Sequence, residues 1–225
     1  MQFINHRINT IAQLAHVPTE NGAEIDIRYH NDTLVLHHDP FAHHTNPPET
    51  LREFLGKWRH TGPLILNVKT EGVEQSCIQM MQEFDIQNWF FLDLSMPFFA
   101  IYSEHAKNKN IHGFGVENLA VRFSEREPIE YALAFTGRAK WVWIDCFTEL
   151  PLDSDKVTQL RAASFKLCLV SPELQGHSLN RIAEFQTKCE GFDIDAVCTK
   201  RPDLWGQPTP PELVTYLDAQ YPFHK

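Results

Sequence analysis

The run Gly22-Ala-Glu-Ile-Asp-Ile27, the turn residues Asn31-Asp32 and the second run Thr33-Leu-Val-Leu-His-His-Asp39 decide how this chain is read. Ala23 to Ile27 alternates like a strand, so Glu24 and Asp26, two residues apart, put their carboxylates on one face. Asn31-Asp32 is a turn signal and Thr33 to His37 a further extended run, which together predict a hairpin-like excursion after the second strand. Ala23, Ile25 and Ile27 belong in a core, and burying a carboxylate there without a partner costs several kcal/mol, roughly. The pair therefore requires a cation or a proton between its members. A purely structural ion-pair network, with Lys69 or Arg7 as the partner, also accounts for it.

The same grammar runs outward in both directions. Short β-branched or aromatic runs predict eight strands, at Gln2 to Asn5, Ala23 to Ile27, Leu64 to Val68, Trp89 to Leu92, Asn118 to Val121, Trp141 to Ile144, Phe165 to Val170 and Ile194 to Cys198. Helical patterns fall between them, at Ile8 to Ala15, Glu49 to Trp58, Val73 to Phe84, Pro97 to His105, Glu127 to Phe135, Ser154 to Ala162, Ser178 to Cys189 and Pro211 to Ala219. Eight strand-then-helix units predict an α/β protein, a compact (β/α)₈ TIM barrel, although a doubly wound sheet obeys the same order. Pro47-Pro48 and Gln207-Pro-Thr-Pro-Pro211 look like helix entries rather than linkers. The expectation is one domain over residues 1–225.

Composition narrows the class of function. With 225 residues, 43% of them hydrophobic and 22% charged, the chain has the make-up of a folded protein that needs no staples. A net charge of -9 argues against tracking a nucleic-acid backbone by charge alone, so no nucleic-acid partner is expected. The N-terminus lacks an apolar leader and no stretch approaches a membrane span, which predicts a cytoplasmic protein. Cys77, Cys146, Cys168, Cys189 and Cys198 are odd in number and lack C-x-x-C spacing, so they read as reduced thiols.

In a parallel barrel the chemistry collects at the C-terminal ends of the strands. Strand one runs into His6-Arg7, strand two into Glu24 and Asp26, the excursion into His38-Asp39, and strand three into Asn67 and Lys69. Asp93, Arg122, Glu125, Asp145, Ser171 and Glu173 also follow strand-like runs, where they line the mouth or act as caps and salt bridges. Trp141 and Trp143 read as packing residues, and His30, His37, His43 and His44 as solvated loop histidines.

His6-Arg7, Gly22-Ala-Glu-Ile-Asp26, Leu34-Val-Leu-His-His-Asp-Pro40, Asn67-Val-Lys69 and Asp195-Ala-Val-Cys-Thr-Lys-Arg-Pro202, in this order, resemble the glycerophosphodiester phosphodiesterase family over nearly the whole chain. The resemblance implies a (β/α)₈ barrel and metal-assisted hydrolysis of a glycerol- or sugar-linked phosphodiester, a small-molecule substrate. It implies His6 and His38 as the acid/base pair, Glu24, Asp26 and Asn67 as ligands of a divalent ion, Mg²⁺ or Ca²⁺, and Arg7 and Lys69 as phosphate contacts. It further implies that a neighbouring substrate hydroxyl attacks first and gives a cyclic phosphate. The chain departs from the family at Ile8, where a glycine is usual, at Asn67, usually a carboxylate, and at Lys200, usually an aspartate. An amide oxygen ligates a hard cation but brings no charge. The alternative implied by these departures is a catalytically impaired barrel that binds a phosphate ligand or regulates.

Overall fold

The structure is a computed structural model and describes residues 1–40 and 48–221. Its strands are β1 (Gln2–Asn5), β2 (Gly22–His30), β3 (Thr33–Leu36), β4 (Leu64–Val68), β5 (Trp89–Leu92), β6 (Ala120–Phe123), β7 (Trp141–Ile144), β8 (Lys166–Val170) and β9 (Ala196–Thr199). The helices are α1 (Ile11–Leu14), α2 (Leu51–Leu55), α3 (Glu74–Glu83), α4 (Met96–Asn108), α5 (Ile129–Leu133), α6 (Ser154–Ala162), α7 (Arg181–Lys188) and α8 (Pro211–Gln220). With β3 set apart as the hairpin partner of β2, strand and helix alternate eight times, and the chain is a (β/α)₈ barrel. Pro47, His43 and His44 lie outside the described residues.

Two compact units divide the chain, Met1–Asn5 with Ala120–Lys225, and His6–Leu119. In the first, β1, β9, β8, β7 and β6 pair in parallel in that order. β7 and β9 are buried on both faces, as the continuous apolar run Trp141-Val-Trp-Ile144 requires, and both tryptophans pack there as expected. In the second unit β2 pairs β4 in parallel, β4 pairs β5, and β3 returns antiparallel along β2. The hairpin closes through Asn31 and Asp32 at φ 46° and 59°, the left-handed conformation that a two-residue primed turn demands and that these residue types tolerate.

Helix ends differ from the sequence expectation by a few residues, and caps explain where. Thr10 and Gln13 form a reciprocal capping box, so the first helix begins at Ile11 rather than Ile8. Thr50 and Glu53 do the same for α2. The sixth strand begins at Ala120, not Asn118, because the Asn118 side chain donates to Trp89 O and accepts from Gly115 N, closing a 3₁₀ turn over Val116–Asn118. Gly22 opens β2 where a Cβ would lie 2.2 Å from Pro63 O, so only glycine permits that approach. All five thiols are free, and burial pushes those of Cys77, Cys146, Cys168 and Cys189 above the ordinary thiol pKa, which keeps them inert. No described helix is long and apolar enough to cross a membrane.

Candidate active site

β2 and β4 build the floor of the site. Asp26 and Asn67 are register partners on these parallel strands, and Glu24 lies two residues before Asp26 on the same face. β2 continues to His30, so the two carboxylates sit inside the strand rather than at its end, a correction to the sequence reading. Both are completely buried. Glu24 accepts from Asn67 Nδ2 at 2.8 Å and from the Arg7 backbone N–H at 2.8 Å, with His6 Nε2 3.7 Å away. Asp26 accepts from Asn9 Nδ2 at 2.8 Å, donates its own N–H to Asn9 Oδ1 at 2.8 Å, and has Lys69 Nζ 3.6 Å from Oδ1. Lys69 also pairs with Asp93 at 3.4 Å.

Burial raises the pKa of Glu24, opposed by the Asn67 and Arg7 hydrogen bonds and by the charges of Lys69 and Arg7. Burial raises that of Asp26 too, and the nearby Glu24 carboxylate adds to the rise, while Asn9, Lys69 and His38 oppose it. The two acids thus sit where a further positive charge is favoured.

Arg7 connects this floor to the hairpin. It occupies the left-handed region, φ 55°, a conformation costing a non-glycine residue about 1 kcal/mol. That geometry goes with its N–H on Glu24 while the guanidinium Nη2 reaches His38 Nε2 at 2.6 Å. A guanidinium only donates, so His38 Nε2 carries a lone pair and Nδ1 the hydrogen, which goes to Asp39 Oδ1 at 2.7 Å. The His38 bond holds the Asp39 carboxyl below its usual range. Arg7, Asn9, Gln13, His38, Asp39 and Glu49 are among the residues lining a cavity of about 430 Å³.

Six of the seven expected residues are joined to one another by these contacts around Glu24 and Asp26, and His38 attaches through Arg7. Asn9 and Arg28 are additional members. Asn9 locks Asp26, and the Arg28 guanidinium donates to His38 O and Lys69 O. Of the further mouth candidates, Asp93 belongs here. Arg122 pairs with Glu127 and Asp145, Glu125 accepts three backbone N–H groups from Phe147 to Glu149, and Glu173 binds Ser171, Thr199 and Lys200 N, all within the other unit.

Among the described residues no three histidine, cysteine, aspartate or glutamate side chains gather to cage a metal. The expected set has two carboxylates and one amide. Asp26 Oδ1 and Asn67 Oδ1 are both buried without a hydrogen-bond donor, and together with Glu24 they form an all-oxygen donor set, which fits a hard divalent cation.

The fold and the polar floor at its strands define a (β/α)₈ barrel with titratable and cationic groups gathered at one site. Solved structures to which this fold is similar include glycerophosphodiester phosphodiesterases. That of Agrobacterium tumefaciens matches at a TM-score of 0.63 and 14% identity, over 91% of this chain and 98% of its own. A glycerophosphoryl diester phosphodiesterase of Parabacteroides distasonis matches at 0.62 and 13%, over 96% of this chain and 86% of its own. At these identities the likeness is one of fold. No protein-family model and no curated protein matches the sequence.

Proposed function

We propose that this chain hydrolyses a glycerol- or sugar-linked phosphodiester with His38 and His6 as base and acid, and that it works in the cytoplasm. The observation that carries the reading is the Arg7 bridge. One residue holds Glu24 by its backbone and His38 by its guanidinium, so an anion that draws the guanidinium away frees a basic nitrogen at the same place. Arg7 then donates to phosphate oxygens and the Lys69 ammonium supplies a second positive charge. Glu24, Asp26 and Asn67 would hold Mg²⁺ or Ca²⁺, which when bound polarises the phosphoryl oxygen and offsets charge.

The proton steps follow from the hydrogen bonds. His38 Nε2 accepts the proton of the attacking hydroxyl, and Asp39 steadies the resulting imidazolium through Nδ1–H. The hydroxyl oxygen bonds to phosphorus, the bond to the departing alcohol breaks, and His6, with Nε2 3.7 Å from Glu24 Oε2, protonates the alkoxide. With a neighbouring substrate hydroxyl as nucleophile, the product is a cyclic phosphate. Water then opens it with the roles exchanged, His6 taking the proton and His38 returning one, so both histidines end as they began. Phosphorus NMR of a glycerophosphodiester and of its analogue lacking the neighbouring hydroxyl tests this route. Turnover of the first alone supports it, and equal turnover of both removes the cyclic step.

A phosphate-binding module without turnover is the second reading, favoured by Asn67 standing among the oxygen donors in place of a third charge. Binding of glycerol phosphate by calorimetry without any phosphodiester cleavage would select it.

A further inference from the structure

Arg28 lies two residues beyond Asp26 on β2, continuing the face of Glu24 and Asp26. Its guanidinium spends its donors on main-chain carbonyls. Nη2 and Nε bind His38 O at 2.7 and 3.2 Å, and Nη1 binds Lys69 O at 3.2 Å. These two carbonyls lie where the sheet on either side of β2 has run out. β3 ends at Leu36, and the pairing on that side closes with His37 N on Asp26 O at 3.0 Å. β4 ends at Val68, and Lys69 N on Ile27 O at 2.9 Å is the matching last main-chain bond, with Tyr29 N donating to Thr70 Oγ1 at 3.4 Å beyond it. One planar fork ties the two segments together across β2.

We propose that Arg28 is a positioning residue that fixes the separation of His38 and Lys69 without touching substrate, a role resting on the function proposed above. The base and one phosphate-binding cation come from different flanks of β2, and their distance must match the span from attacking hydroxyl to phosphate oxygen. Misplacement by about 1 Å costs on the order of 10²-fold in rate. Only a guanidinium spans two acceptors with fixed geometry, and an ammonium on a flexible stem holds one of them.

The test is a double-mutant cycle in the full chain. Arg28→Gln should lower kcat by roughly 10- to 100-fold, and Arg28→Lys by less. In a His38→Ala background the further loss from Arg28→Gln should shrink to less than about threefold, because groups acting as a unit are not additive. Amide hydrogen exchange should quicken in Arg28→Gln at residues 37–39 and 69–71 alone, with the melting temperature little changed. Additive losses, unchanged kcat, or exchange quickened throughout the chain would overturn the positioning role while leaving the acid/base assignment intact. A His38→Ala variant as fast as wild type, or a wild type with no turnover, would instead remove the functional reading and this inference with it.

Discussion

Replacing Asn67 by aspartate turns a donor into an acceptor beside the fully buried Glu24. Asn67 Nδ2 donates to Glu24 Oε1 at 2.8 Å, and in the variant two carboxylates face each other there. Losing a hydrogen bond to a charged group costs about 1.5–3 kcal/mol. Two full charges about 3 Å apart at an effective dielectric of about 20 repel by roughly 5–6 kcal/mol. Protonating one ordinary carboxylate at pH 7 costs about 3.7 kcal/mol, so the pair takes up a proton rather than bear the full repulsion. A shared proton restores a donor between the oxygens, and the net loss is about 2–4 kcal/mol. For a chain of this size that lowers Tm by roughly 5–15 °C. The sign with pH is fixed, because a carboxylate whose folded pKa is raised binds more protons folded than unfolded. The penalty is therefore absent below the ordinary carboxylate pKa and grows as pH rises toward neutrality. A divalent ion reverses it, since a ligand at about 100 times its Kd stabilises by about 2.7 kcal/mol. Thermal melts of wild type and Asn67→Asp, in chelator and in millimolar Mg²⁺ or Ca²⁺, at pH 5 and 7.5, read all of this. An ion that shifts neither protein, or both equally, refutes the placing of Asn67 beside a cation site.

Glu24, its pKa raised by burial, carries the same linkage in the wild type. In chelator, Glu24→Gln should therefore gain stability relative to wild type as pH rises from 5 to 8, and a pH-independent difference in Tm would contradict the raised carboxylate. Glu125 behaves oppositely. Burial works to raise its pKa, but the backbone N–H groups of Glu149 and Thr148 dominate and bring it down to about 2. Its contribution is present above the ordinary glutamate pKa and lost as pH falls from about 4 toward 2. Glu125→Gln should cost about 1 kcal/mol at pH 7 and flatten the acid limb of the melting curve, and an acid limb identical to wild type would count against that loop-holding role.

The strands were legible because their apolar runs are buried on both faces and end in polar residues, and Asn31-Asp32 announced the hairpin by residue type. Asn118 misled because its β-like neighbours hide a side chain that prefers to bond Gly115 and Trp89 O, a tertiary contact no local pattern contains. The candidate residues His6, Arg7, Glu24, Asp26, His38, Asn67 and Lys69 could be named because they close or follow strand-like runs and stand in motifs that resemble a known family. Asn9 and Arg28 could not, since Asn9 meets Asp26 across 17 positions and the acceptors of Arg28 are carbonyls that every residue possesses. The one available signal for Arg28 was its place in the series 24, 26, 28 on a single strand face.

The function proposed for the chain is phosphodiester cleavage by the His38 and His6 pair. It is tested most directly by phosphorus NMR of a glycerophosphodiester incubated with the full chain in Mg²⁺ or Ca²⁺, wild type beside His38→Ala and His6→Ala, each with its melting curve. Wild type should convert it to the phosphomonoester, and each variant should lose roughly 10²-fold or more of that rate with its folding transition retained. Wild type that leaves the diester untouched, or alanine variants that cleave it at the wild-type rate, would contradict it.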